Sequence, residues 1–320
     1  MRFSVALTCT LLFATIPFAD WEGLATLKSQ TTTISTEDLI ELEEMEDTLG
    51  LLAYTILHDS MEENRFLACR AMIPRLVNAL KTPNSFQYPF EQLQYISIQY
   101  PPDSSFRVFT WQLFVNRDEY RYYGAIQMNS EKLKLFPLID RSFEVPDEQL
   151  ENASFGQDKW YGYVVYDIQP VQTKTENYYL LFGADSYRAY QRRKIVDVLS
   201  FSELNGKPAF GKDIFLDVDQ ETGEVQRVRN RLVQQFSAES YVTTKYDADQ
   251  QMIMLENLVG VAGRNGEGMV NIPDGSYRGY KLSTKDGRWY EVDKVFNHTY
   301  QEAPRTKGSE VKRDIFGRRQ

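Results

Sequence analysis

Three runs of aromatic and β-branched residues, at 159–166, 178–183 and 194–199, occupy the middle of the chain, with a polar break around 173–177. Such residues favour pleated, half-buried positions, so the pattern predicts consecutive strands of an antiparallel meander. Similar runs lie on both sides, at 95–99, 106–115, 120–128 and 133–138, and again at 213–218, 224–236, 241–246, 252–258, 277–282 and 289–295. Asn116-Arg117-Asp118-Glu119 and Lys285-Asp286-Gly287 supply hairpin turns. The polar segment 146–158 predicts a long loop, and the glycine-rich segment 260–268 a second one.

Ahead of these strands the period changes from two to between three and four. Leu42, Met45, Leu49, Leu52 and Ile56 fall on one helical stripe, and the remaining face carries Glu41, Glu43, Glu44, Glu46 and Asp47, read as solvated. Ser35 with Asp38 three residues on is a capping pattern, and Ile34 with Leu39 can form a hydrophobic staple. A second helix is predicted from Ser60, with Glu63 completing its cap and Phe66, Cys69, Ile73, Leu76 and Leu80 as its stripe. Pro74 is expected to kink or divide it. Neither helix gains much alone, so the pair should bury its apolar stripes against the strands.

The first residues change the picture of compartment. Arg2 followed by an apolar run from Phe3 to Phe18 and the small residue Ala19 has the form of a secretory signal peptide, too short to span a bilayer. Cleavage there would leave Cys69 without a disulfide partner. A net charge of −9 argues against nucleic acid as a partner, because phosphate neutralisation needs a basic face.

No catalytic signature stands out. The chain has two histidines, His58 and His298, and neither lies near Cys69 in sequence. Residues 217–223 carry alternating acids, but Gly223 falls one position late for a calcium loop and Val228 stands where the closing Glu belongs. A β-turn explains the same residues, so no metal and no cofactor is expected. Arg227, Arg229 and Arg231 alternate along one predicted strand and share a face. They can bind an anionic ligand or pair with Asp213, Asp217 and Asp219 of the preceding strand. Trp111 and Trp160 can be sugar-stacking platforms or core residues.

Several short stretches carry a resemblance: 85–90, 102–111, 122–127, Trp160-Tyr161-Gly162, Phe210-Gly211 and 273–277. They resemble a family of exported proteins from Bacteroidota with no assigned activity. The resemblance spans most of the chain after the leader, implies an exported compartment and supplies no catalytic residue.

The expectation is therefore an α+β protein, with an N-terminal helical hairpin packed on an extensive antiparallel β-sheet meander. Its segments are a signal peptide (1–19), a helical region (20–84), a β domain (85–302) and a basic tail (303–320). Periplasmic or surface-associated binding, of an anionic ligand or envelope component, without a transmembrane helix in the mature chain, is the leading expectation. The alternative is a carboxylate-dependent hydrolase of envelope glycans, which requires two carboxylates facing each other across a cleft within about 10 Å.

Overall fold

A computed structural model of the chain describes residues 34–264 and 267–292. The leader-like segment, the basic tail and His298 lie outside them. Helix α1 (Thr36–His58) begins where its cap predicts: the Ser35 hydroxyl accepts the Asp38 amide at 3.1 Å. Leu42, Leu49, Ala53 and Ile56 are buried along one stripe. Glu46 is buried too, because its carboxylate accepts the Gln92 amide at 2.7 Å and the Tyr88 hydroxyl.

Helix α2 (Glu62–Lys81) starts two residues after the predicted Ser60. Among the described residues no side chain caps its first turn; the Asp59 carboxylate instead accepts the amide of Met61, just ahead of the helix, at 2.8 Å. Pro74 neither divides the helix nor removes a buried hydrogen bond, because it stands on the exposed face. The buried stripe keeps the predicted Cys69, Leu76 and Leu80 and is completed by Ala68, Met72 and Ala79, while Phe66 is half-buried and Ile73 is exposed.

The strands of the described residues form three sheets. The first has the order β1 (Ser97–Gln99), β2 (Phe106–Asn116), β3 (Glu119–Met128) and β4 (Leu135–Ile139), all antiparallel. The second is built on the central meander of β6 (Val164–Gln172), β7 (Asn177–Arg188) and β8 (Gln191–Phe201). The free side of β8 is shared by β9 (Pro208–Phe210), which continues to β5 (Phe155–Gly156), and by β12 (Leu232–Ser237). The third has the order β11 (Val225–Arg229), β10 (Phe215–Val218), β16 (Trp289–Val292), β15 (Met269–Leu282), β14 (Met252–Ala262) and β13 (Thr244–Asp247). Its β10–β16 pair is parallel, a departure from the antiparallel meander.

The predicted strand 224–236 is two strands in different sheets, separated at Asn230. The predicted loop 146–158 holds a short helix, α3 (Asp147–Leu150), as well as β5. Strand β15 is longer than its predicted span of 277–282 because Pro273 and Gly275 punctuate a bulge without ending the strand. Pro273 pairs with Leu258 and Tyr277 with Glu256, leaving Asp274 to Ser276 looped out, with Gly275 at φ +84°.

These elements stack as helix pair, first sheet, second sheet and third sheet, and the alternation of side chains assigns each interface. In β2, Phe109, Trp111, Leu113 and Val115 pack with the helices, whereas Phe106 and Val108 pack toward the second sheet. In β7, Leu181 faces the first sheet, while Tyr178, Leu180 and Phe182 face the third with Phe215, Ile253 and Trp289. A strand buried on both faces reads as a continuous apolar run, which is the pattern at 178–183. Gly183 admits the Tyr163 ring here, since a Cβ would stand 2.2 Å from that ring. No helix among the described residues is long and apolar enough to cross a membrane.

Candidate functional site

The arginine row is engaged internally. Arg227 meets Glu151 at 2.8 Å, Arg229 meets the other oxygen of Glu151 at 2.8 Å and also Asp217, and Arg231 meets Asp197 at 3.2 Å. Arg231 also donates to the Ala153 and Leu150 carbonyls. The three guanidinium groups thus clasp the segment after α3 rather than lining a free concavity. Of the acids expected to pair with them only Asp217 does so. Asp213 lies 3.8 Å from Arg288, and Asp219 accepts the Glu221 and Thr222 amides at 2.9 and 2.8 Å. Those bonds, with Gly223 at φ +73°, make a turn. Among the described residues no cluster of three or more His, Cys, Asp or Glu side chains is arranged to hold a metal ion.

Both tryptophans are core residues. Trp111, stacked on Tyr123 with centroids 5.5 Å apart, is 5 % exposed, and Trp160 is 1 % exposed. Neither offers an open ring face to a sugar. Burial pushes the Cys69 thiol up from its ordinary value.

The structure places unneutralised charge elsewhere. A cleft of about 420 Å³ runs along one end of the layers, between α1 and the first sheet on one side and the second sheet with the segment 240–242 on the other. Its cationic wall comes from Arg192, Arg193 and Lys194 of β8. Alternation sends Arg193 to the opposite face from the other two. Arg193 is neutralised there by Asp147 at 2.9 Å, donates to the Tyr161 hydroxyl at 2.9 Å, and stacks on Tyr187 with its guanidinium carbon 3.5 Å from the ring centroid.

Among the described residues Arg192 and Lys194 have no such partner. The register places Ala184 and Gln234 beside Lys194, and Phe236 beside Arg192, so no acid stands across from either. Lys194 lies 4.3 Å over the Tyr166 ring and makes no hydrogen bond or ion pair among the described residues. Burial alone holds its ammonium below the ordinary lysine pKa. Arg192 donates through Nη1 to the carbonyls of Ser186, Arg188 and Gln191, and no acid of the described residues meets it.

Among the described residues the one carboxylate in the cleft wall is Asp185, and it is fully engaged. Its oxygens accept the Tyr122 hydroxyl at 2.8 Å, the Tyr161 hydroxyl at 2.8 Å and the Tyr187 amide at 2.8 Å. Burial pushes its pKa up, and the bonds from Tyr122 and Tyr161 offset part of that rise. Burial first, and the Asp185 charge second, hold both of these phenols well above their ordinary value. Such a network fixes the floor of the cleft and leaves no second carboxylate in the wall for acid–base work on a glycosidic bond.

Two larger clefts carry less chemistry. In one, of about 630 Å³, Asp140 is held by the Tyr122, Ser142 and Gly162 amides, and Arg121 meets Glu119 at 3.3 Å. The other, of about 690 Å³, is an open groove between α1 and α2 lined by Glu41, Glu44 and Arg75.

Sequence reasoning passed over Arg192 and Lys194, although a signal was present. Three consecutive cations at the start of a strand must divide between its faces, and only the middle one stands opposite an acid, Asp185. Comparison of the chain with protein-family models, curated proteins and solved structures finds no match to any of the three.

Proposed function

We propose that this chain is an exported, non-enzymatic binding protein that captures an anionic ligand in the cleft at the start of β8. One observation carries the reading: Arg192 and Lys194 bring two positive charges to a partly desolvated wall in which no carboxylate of the described residues pairs with them. A cation in that setting interacts more strongly with an incoming anion than one in open water. Export rests on the N-terminal pattern of Arg2 and the apolar run after it. Binding without catalysis fits a cleft whose single carboxylate is occupied by two tyrosines.

The test uses calorimetric titration with three anions of unrelated bodies: inorganic phosphate, an oligogalacturonate and octanoate. At least one binds the wild-type chain in a salt-dependent way, and Arg192→Ala/Lys194→Ala weakens it at least about tenfold, equivalent to about 1.4 kcal/mol. Arg227→Ala, whose guanidinium is already paired with Glu151, leaves that affinity unchanged. Affinity is steady while Lys194 is charged and falls as pH rises through its lowered pKa, because the neutral amine no longer attracts the anion. That decline disappears in Lys194→Ala. Equal affinity of wild type and double variant for all three anions contradicts the reading.

A further inference from the structure

We infer that the anion taken by this cleft is the head of a small amphiphilic acid, a carboxylate on an apolar body, rather than an acidic glycan or a free inorganic anion. The inference rests on the anion-capturing reading above and comes from an inventory of what the wall has left to offer. The acceptors of the inner wall are in use. Thr110 Oγ1 accepts the Val165 amide at 3.0 Å, Gln112 Oε1 accepts the Ser186 hydroxyl at 2.7 Å, and both Asp185 oxygens are held by tyrosines.

What remains on β2 and β8 is donors. Lys194 Nζ, Arg192 Nε and Nη2, and the Gln112 amide nitrogen make no hydrogen bond among the described residues. A sugar presents hydroxyls that both give and take hydrogen bonds, and burying them against a wall of donors leaves their protons unsatisfied. A carboxylate only accepts, so it matches such a wall.

The rest of the cleft is apolar and, at its mouth, exposed. Leu57, Tyr95 and Tyr241 are 43, 41 and 81 % exposed, and Phe236 and Trp111 lie below them. Covering these side chains favours a ligand with an apolar body, which phosphate lacks. A volume of about 420 Å³ is that of a small-molecule site and not of a polymer groove.

The experiment compares octanoate, acetate, 1-octanol, an oligogalacturonate and inorganic phosphate by calorimetry on the full chain. Octanoate binds at least tenfold more tightly than 1-octanol, and Arg192→Ala/Lys194→Ala brings it down to the affinity of the alcohol. Tyr241→Ala weakens octanoate severalfold and leaves acetate unchanged, a separation that loss of folding would not produce. If the oligogalacturonate or phosphate depends on Arg192 and Lys194 while octanoate does not, the amphiphilic-acid inference is overturned and the anion cleft stands. If no anion depends on them, both readings fall.

Discussion

Arg107→Met lowers the unfolding free energy by about 3–5 kcal/mol, because it strips donors from three buried acceptors at once. Arg107 is fully buried in β2, where alternation places it in phase with Phe109 and Trp111 on the face toward the helices. Its guanidinium donates to the Gln127 side chain at 2.8 Å, to the Tyr88 and Ser85 carbonyls at 2.6 and 2.9 Å, and to the Tyr100 hydroxyl at 2.7 Å. The rings of Phe109, Phe90, Phe86 and Tyr100 surround it at 4.8 to 5.8 Å. No acid among the described residues pairs with it, and burial holds its pKa below the ordinary arginine value. The side chain therefore works as a fork of hydrogen bonds that ties the helix-to-sheet connection onto the first sheet. Lysine cannot reproduce a planar fork, so Arg107→Lys recovers little of the loss. Denaturant unfolding measures both variants, and a methionine variant within about 1 kcal/mol of wild type would contradict this account.

The second large effect lies one layer away. Asp197 and Arg231 are both fully buried, 3.2 Å apart, between β8 and the segment leading into β12. Asp197→Ala leaves a buried guanidinium without its counter-charge and costs about 3–5 kcal/mol. It also removes the acceptor of the Tyr163 hydroxyl at 3.2 Å. Arg231→Leu in the same chain removes the stranded charge and restores part of the stability, since a buried pair costs desolvation that apolar residues do not. Restoration stays incomplete because Arg231 also holds the Leu150 and Ala153 carbonyls. A double-mutant cycle in denaturant reads the coupling. Additive losses from the two substitutions would show that the charges do not act as a pair.

Elements whose causes are local were legible in the sequence. Ser35 and Asp38 cap α1 within four residues, and the β2–β3 hairpin turns at the predicted residues 116–119. What was not legible depends on partners far along the chain. The meander at 159–199 reads as strands, and the continuous apolar run at 178–183 marks burial on both faces, but nothing local says that two further sheets do the covering. That follows from contacts of Leu181 on one face and Phe182 on the other. The arginines at 227–231 were legible as a row on a strand. Glu151, the acid that holds two of them, sits in a segment that reads as polar loop and is brought in by α3 and β5. Asn230 breaks the strand in the middle of that row, which regular alternation does not foresee. Arg192 and Lys194 gain their meaning only from register, which sets Ala184, Gln234 and Phe236 beside them in place of acids.

We propose that Lys194, partly desolvated and unpaired among the described residues, holds an anion. Following its ammonium by NMR through a pH titration of the full chain tests this most directly. We predict that Nζ titrates below the ordinary lysine value in the free protein, and that octanoate moves the titration upward, because a bound negative charge favours the protonated amine. An amine that titrates as an exposed lysine does, unmoved by octanoate, oligogalacturonate or phosphate, would contradict the claim.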